Sequence, residues 1–159
     1  MGKNIFGASE VLEFAIRIEE NGESLYREFS RKLKQKKIKD LFNRLADEEI
    51  KHRAIFEEML SQIENYQPPE SYPGEYFAYL RAYADDKIFT KEKKGSLMAK
   101  KITTEKEALD FAIEIELDSI LYYLEAKNLV PDYQRNTIDK IVEEERSHYL
   151  KLRKAKKGD

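Results

Sequence analysis

Apolar residues recur over the first 65 residues at the three- and four-residue spacing of two amphipathic helices. The first helix is predicted to begin at Ser9, whose hydroxyl suits an N-cap, and the second to end before Pro68, which cannot continue a helix. Residues 9–65 are therefore predicted to form a helical hairpin. Its inward-facing positions are Leu12, Ala15, Ile18, Gly22, Leu25, Tyr26, Phe29 and Leu33, then Ile38, Leu41, Phe42, Leu45, Phe56, Met59, Leu60 and Ile63.

A second helical hairpin is predicted over residues 104–156. Thr104 with Glu107 three residues later has the pattern of a capping box, and the helix that it opens stops before Pro131. The last helix starts at about Asp132 and ends in a lysine-rich stretch, which suits the negative end of a helix dipole. The inward-facing positions are Leu109, Ala112, Ile113, Ile120 and Tyr123, then Ile138, Ile141, Val142 and Leu152.

Residues 66–103 connect the hairpins and are too many for a tight turn. At about 1.5 Å per residue the predicted helices are about 36–42 Å long, and a segment of this size can cross from one end of a bundle to the other. Tyr76 to Ala84 is predicted to form a short helix on the way. Two tight hairpins joined by one long crossover predict an all-α, ferritin-like four-helix bundle, with residues 1–159 in a single domain.

The chain contains an internal repeat that supports this arrangement. Residues 10–26 align with residues 107–123 at a constant offset of 97, with eight identities in seventeen positions. The second and fourth helices match at an offset of 96 through three pairs, which are Glu48/Glu144, Glu49/Glu145 and His52/His148. The sequence therefore predicts two copies of one hairpin, related by an approximate two-fold axis.

Six polar residues fall inside the apolar stripes of these helices. The second and fourth helices each carry a Glu-x-x-His motif, whose two side chains share a helix face, and the first and third each add one glutamate. Four uncompensated carboxylates in a core would repel one another and cost several kcal/mol each, whereas two divalent cations would neutralise them. The six candidate metal ligands are Glu19, Glu49, His52, Glu116, Glu145 and His148.

This set of residues is the ligand pattern of di-iron and di-manganese carboxylate bundles. The alternative for a single Glu-x-x-His motif is an ordinary solvated pair on a charged helix. Two copies in register within the apolar stripes favour metal. Oxygen-rich ligands with imidazole suit two iron ions, or manganese, better than tetrahedral zinc, and Glu49 and Glu145 are the predicted bridging carboxylates.

The pattern Glu19-x-x-Gly22-x-x-x-Tyr26, followed by the two Glu-x-x-His motifs and by Glu116 with Tyr123, resembles the rubrerythrin-like branch of the ferritin-like superfamily. The resemblance implies a di-iron site bound by the six candidate ligands. It also implies an oxidoreductase that reacts with hydrogen peroxide or dioxygen, a role in oxidative stress, and a homodimer.

Two features differ from the classical rubrerythrins. Those proteins carry a C-terminal rubredoxin domain with four cysteines, whereas this sequence has no cysteine, so an external electron donor protein or small donor is expected. They also place a further iron-binding glutamate three residues after the ligand on the third helix, where this sequence has Ser119. The second difference argues against efficient peroxide reduction. The alternatives are an iron-binding, ferroxidase-type storage protein and a non-catalytic helical bundle.

Residues near the candidate ligands have less specific interpretations. Tyr26 and Tyr123 follow their glutamates by two turns and are predicted to hydrogen-bond a ligand carboxylate, with plain core tyrosines as the alternative. The small size of Gly22 and Ser119 favours either an opening beside the metals or close helix packing. Four further glutamates are expected to face solvent, namely Glu20, Glu23, Glu48 and Glu144.

Composition excludes several other functions. Without cysteine there is no disulfide framework, thiolate zinc site or iron–sulfur centre, and a net charge of −2 argues against a nucleic-acid partner. No stretch approaches the roughly 18 apolar residues of a membrane span, and no signal peptide opens the sequence, so a cytoplasmic protein is expected. The aromatic residues of the crossover predict a lid over the core or a dimer interface.

Overall fold

The computed structural model describes residues 8–63, 78–79, 82 and 99–158 of the 159-residue chain. Four long helices account for most of these residues. They are α1 (Ala8–Lys32), α2 (Lys36–Ser61), α3 (Glu105–Ala126) and α4 (Asp132–Lys156). A short 3₁₀ turn, Lys127–Leu129, lies between α3 and α4. The prediction of an all-α four-helix bundle is confirmed.

The ends of the helices follow local chemistry. The Thr104 hydroxyl accepts a hydrogen bond from the Glu107 backbone N–H at 3.2 Å, so the predicted cap of α3 is confirmed. Helix α4 begins directly after Pro131, as predicted. It closes with Gly158 at a φ of 82°, the left-handed conformation that glycine adopts most easily. The prediction that Ser9 caps α1 is wrong, because Ala8, the first described residue, is already helical.

Two antiparallel hairpins, α1 with α2 and α3 with α4, pack against each other around one apolar core. Every inward position that the periodicity predicts is buried except Leu60 and Ile120, which are half-buried at the margin of the core. The hairpins are also joined by buried hydrogen bonds. The Tyr122 hydroxyl donates to the Val11 carbonyl at 3.0 Å, and the Gln134 amide donates to the Met59 carbonyl at 3.0 Å.

These contacts fix the direction of the second hairpin. Glu105, at the start of α3, accepts hydrogen bonds from the backbone N–H groups of Lys34 and Gln35, in the turn between α1 and α2. Gln134, at the start of α4, contacts the end of α2 instead. Helix α3 therefore starts at the end of the bundle opposite to the end of α2, and the connection between them has to span the length of the bundle. This is the long crossover that the sequence predicts.

Most of the crossover lies outside the described residues. Within the predicted short helix Tyr76 to Ala84, the described residues are 78, 79 and 82, and all three are helical. At the far end Ala99 is buried, and its carbonyl accepts a hydrogen bond from the Lys32 ammonium at 2.5 Å. Among the described helices, none is both long enough and apolar enough to cross a membrane. The single-domain boundaries stay a prediction.

Candidate metal centre

The structure brings the six candidate ligands together at the centre of the bundle. Each of the four helices contributes from its core stripe: α1 and α3 supply one glutamate each, and α2 and α4 supply a Glu-x-x-His pair each. The surrounding apolar side chains seal them from solvent, so that all six are at most 4% exposed. They are Glu19, Glu49, His52, Glu116, Glu145 and His148.

The six side chains divide into two groups of four with two members in common. In each group one oxygen or nitrogen per residue lies within 4.8 Å of the others. The first group is Glu19, Glu49, His52 and Glu145, and the second is Glu49, Glu116, Glu145 and His148. Two neighbouring cations could therefore each take one terminal glutamate and one histidine, while sharing the carboxylates of Glu49 and Glu145.

The buried atoms of this cluster are not satisfied by the protein. Within the described part of the chain, one polar atom of each of the six residues is buried without a well-aligned hydrogen bond, although His52 Nδ1 lies 2.8 Å from Glu145 Oε1. These atoms are Glu19 Oε2, Glu49 Oε1, His52 Nδ1, Glu116 Oε2, Glu145 Oε1 and His148 Nδ1. Leaving so many buried polar atoms unpaired would cost about 1–3 kcal/mol each. The donor set therefore fits a pair of hard or borderline divalent cations, for which all six atoms are available.

The pKa values of the cluster show that its buried carboxylates repel one another. Burial raises the pKa of Glu49 well above its ordinary value, and the charges of Glu19 and Glu145 raise it further. Burial and the charge of Glu116 likewise raise the pKa of Glu145. Burial also opposes ionisation of Glu116, but contacts with Glu145, His148 and Tyr26 outweigh it and lower the pKa of Glu116. The metal-free cluster thus keeps protons on some carboxyl groups so that its like charges do not all ionise.

His52 is held between carboxylates. Burial by itself would lower the pKa of His52, but close contacts with Glu145 and Glu19 raise it to about 12. The His52 Nδ1 atom lies 2.8 Å from Glu145 Oε1 and 3.7 Å from Glu19 Oε2. In the metal-free protein this imidazole is therefore protonated, and its Nδ1 atom points at the cluster where a cation would sit.

Two buried tyrosines connect the hairpins at this centre. The Tyr26 hydroxyl on α1 donates to Glu116 Oε1 on α3 at 2.6 Å, and the Tyr123 hydroxyl on α3 donates to Glu19 Oε1 on α1 at 2.5 Å. The two bonds follow the two-fold repeat. Each tyrosine therefore fixes the candidate ligand of the other hairpin and leaves that carboxylate's second oxygen free.

Gly22 makes room for a ligand. A Cβ atom at this position would lie 2.7 Å from Glu49 Oε2, closer than real Cβ contacts allow. The sequence left two roles for Gly22, an opening beside the metals or close packing of helices. The structure gives a different one, since the absent side chain leaves space for the Glu49 carboxylate. The repeat-equivalent residue, Ser119, is also buried.

The expectation that four nearby glutamates face solvent is confirmed for Glu20 and Glu144, which are exposed, whereas Glu23 and Glu48 are half-buried. Glu23 pairs with Arg53 at 2.8 Å, and Glu48 accepts from Lys51 at 2.9 Å. Glu144, however, lies 2.5 Å from the Nε2 atom of His52, on the side of the ring away from the cluster. The helical pattern does not predict this contact, because Glu48 directly precedes a candidate ligand in the same way and accepts from Lys51 instead.

Comparison with known proteins agrees with this geometry. The family model of rubrerythrin matches residues 10–156. The chain belongs to the rubrerythrin family. Among solved structures, a candidate ferritin-like diiron-carboxylate protein of Thermotoga maritima is 33% identical, over 98% of this chain and 98% of that chain, with a TM-score of 0.70.

A more distant structure supports the fold alone. It is a hypothetical protein of Pyrococcus furiosus that is 20% identical, over 96% of this chain and 89% of that chain, with a TM-score of 0.57. No curated protein matches the chain. Membership of the rubrerythrin family and the buried glutamate–histidine cluster together establish a ferritin-like bundle of the di-iron carboxylate type.

A Gly22→Ala variant is expected to separate stability from metal binding. Alanine favours an interior helix position by about 1 kcal/mol over glycine, so the metal-free protein should unfold at the same or a higher denaturant concentration. The new methyl group displaces the Glu49 carboxylate, so metal affinity should fall about tenfold or more. Ser24→Ala, at an exposed position of the same helix, is the control and should leave metal affinity unchanged. Full affinity in Gly22→Ala would contradict this role of the glycine.

Metal binding is expected to release protons at pH 7. In the metal-free protein the pKa of His52 is raised to about 12, so this imidazole holds a proton at pH 7 that a cation must displace, and the raised pKa values of Glu49 and Glu145 act in the same direction. Affinity should therefore increase as the pH rises. Calorimetric titration with Fe²⁺ or Mn²⁺ in buffers of different ionisation enthalpy counts the released protons. Binding without proton release would show that the cluster is not protonated as described.

Proposed function

We propose that this member of the rubrerythrin family binds two iron ions and is an oxidoreductase that reduces hydrogen peroxide or dioxygen. The observation that supports this most directly is the set of six inward-facing ligand atoms without a well-aligned hydrogen bond, one from each candidate ligand. In the proposed site Glu19 and His52 hold one ion and Glu116 and His148 hold the other. Glu49 and Glu145, which belong to both ligand groups, would be available to both ions. Manganese takes the same donors and is the alternative metal.

Bound iron would supply one-electron redox chemistry next to an O–O bond. The protein's part is to hold the ligands in place and keep water out. The Tyr26 and Tyr123 hydroxyls fix Glu116 and Glu19, and the apolar core around the cluster lowers the local dielectric. Gly22 leaves the Glu49 carboxylate its space. We place the reaction in the cytoplasm.

The electrons come from outside these residues. The 159 residues contain no cysteine, so they offer no rubredoxin-type or other thiolate iron centre to deliver them. A separate donor protein or small reductant is therefore part of the proposal. Reduction of one peroxide consumes two electrons and two protons and yields two water molecules.

Iron oxidation with storage is the second candidate function. It is favoured by Ser119, which is buried at the position where the related rubrerythrins carry a further iron-binding glutamate. A site without that carboxylate would still oxidise Fe²⁺ but would turn over peroxide less efficiently.

Anaerobic loading followed by oxidant tests this proposal. The protein should bind close to two Fe²⁺ per chain, and the loaded form should be oxidised rapidly by peroxide and reduced again by a one-electron donor such as reduced rubredoxin. Glu49→Ala and His148→Ala should lose one or both metal positions. Accumulation of many ferric ions per chain would favour storage, and absence of binding under anaerobic loading would refute both candidate functions.

We further propose that the protein is a homodimer that pairs through α3. Three leucines lie exposed along one face of this helix, which a lone bundle leaves in water. They are Leu117, Leu121 and Leu124. The internal repeat provides a comparison, because the equivalent positions of α1 are polar; they are Glu20, Ser24 and Arg27. The apolar face is therefore particular to the second hairpin, as an interface would require.

A Leu121→Glu variant is expected to shift the protein from dimer to monomer in sedimentation equilibrium, because it buries a charge at the proposed interface. Ser24→Glu, at the equivalent position of α1, is the control and should leave the dimer intact. A wild-type protein that sediments as a monomer at micromolar concentration would refute this interface.

A further inference from the structure

The two histidines of the cluster differ on the side of the ring that faces away from the metals. The Nε2 atom of His52 lies 2.5 Å from Glu144 Oε2, and its Nδ1 atom lies 2.8 Å from Glu145 Oε1. Two consecutive residues of α4 therefore contact the two nitrogens of a ring carried by α2. Glu144 is about half-exposed, whereas His52 is fully buried, so the contact joins the surface of the bundle to its centre.

The internal repeat predicts the same contact at the other histidine, but the structure does not form it. Glu48 is the repeat-equivalent of Glu144, and by symmetry it would bond the Nε2 atom of His148. Instead, Glu48 accepts a hydrogen bond from the ammonium group of Lys51 at 2.9 Å. Among the described residues no such hydrogen bond joins Glu48 to His148, although a Glu48 oxygen lies within 4.8 Å of His52 and Glu144.

One substitution between the repeats accompanies the difference. Lys51 is one turn after Glu48, and the equivalent residue one turn after Glu144 is Ser147. A serine offers no charge to hold the Glu144 carboxylate on its own helix, and Glu144 contacts His52 instead. Lys51 and Ser147 are both exposed, and neither belongs to the candidate ligand set.

We infer that Glu144 is a positioning residue that holds His52 with Nδ1 towards the cluster, and that the metal position of Glu19 and His52 is the tighter of the two. The inference rests on the proposed binding of two metal ions. A carboxylate that accepts the outer N–H of a metal-binding imidazole fixes the orientation of the ring and strengthens it as a donor. His148 lacks such a partner among the described residues, so the two positions of a nearly symmetric site become unequal and fill in order.

Stepwise titration of the metal-free protein with Fe²⁺ under anaerobic conditions tests the inference. The wild type should give two unequal dissociation constants per chain. Glu144→Gln should weaken the tighter position by about tenfold to a hundredfold and leave the stoichiometry at two. Glu48→Gln, the matched control in the other repeat, should weaken the tighter metal position much less. Each metal-free variant should still unfold cooperatively on heating, which shows that the loss of affinity does not come from loss of the fold.

Exchanging Lys51 and Ser147 between the repeats tests whether these residues cause the difference between the two histidines. The exchange changes none of the candidate ligands. Ser147→Lys gives Glu144 the lysine that Glu48 has, and it should weaken the tighter position as Glu144→Gln does. Lys51→Ser frees Glu48 and should tighten the weaker position. Two equal constants in the wild type, or unchanged constants in both Glu144→Gln and Ser147→Lys, would overturn the inference while the proposed function stands. A wild type that binds no Fe²⁺ would overturn both.

Discussion

The mutual repulsion of four buried carboxylates is the constraint on which the rest of this structure depends. An apolar bundle of this kind would be more stable with leucine at those positions, since burial of ionisable groups without partners is costly. The protein instead carries Glu19, Glu49, Glu116 and Glu145 at its centre. Protons relieve part of the conflict in the metal-free state, as the raised pKa values of Glu49 and Glu145 show. Two divalent cations would relieve it more completely.

The surrounding architecture keeps those groups from moving apart. Tyr26 and Tyr123 each reach from one hairpin to a glutamate of the other, so the approximate two-fold axis of the repeat passes through the cluster. Helix packing then leaves little freedom, because even a single Cβ atom added at Gly22 would meet the Glu49 carboxylate. The apolar core and the polar centre are therefore positioned by the same four helices, and neither can be rearranged independently.

Most of this could be predicted from the sequence, because periodicity reports which face of a helix is buried. The six candidate ligands stand out since each is a polar residue at a position where the pattern requires an apolar one. The N-cap predicted at Ser9 is wrong, because Ala8 before it is already helical and a hydroxyl is only a local signal. The space that Gly22 gives to Glu49 was also missed, since it depends on how closely α1 and α2 approach each other.

The contact of Glu144 with His52 could not be read from the helical pattern. By periodicity Glu144 belongs to the solvent-facing side of α4, yet its side chain reaches the ring, and Ser147 stands where the first repeat has a lysine. Near-identical repeats therefore do not guarantee equal sites. In the first repeat the Glu48 carboxylate pairs with Lys51 of its own helix, and in the second the Glu144 carboxylate contacts His52 of the neighbouring helix.

The position of the metal ions is the most direct test of the proposed site. Anomalous diffraction at the iron edge, from crystals of the anaerobically loaded protein, measures it without assumptions about the reaction. The account predicts two peaks about 3.5–4 Å apart at the bundle centre, with a histidine Nδ1 on each and Glu49 and Glu145 between them. An empty centre, or iron bound only at surface carboxylates, would contradict it.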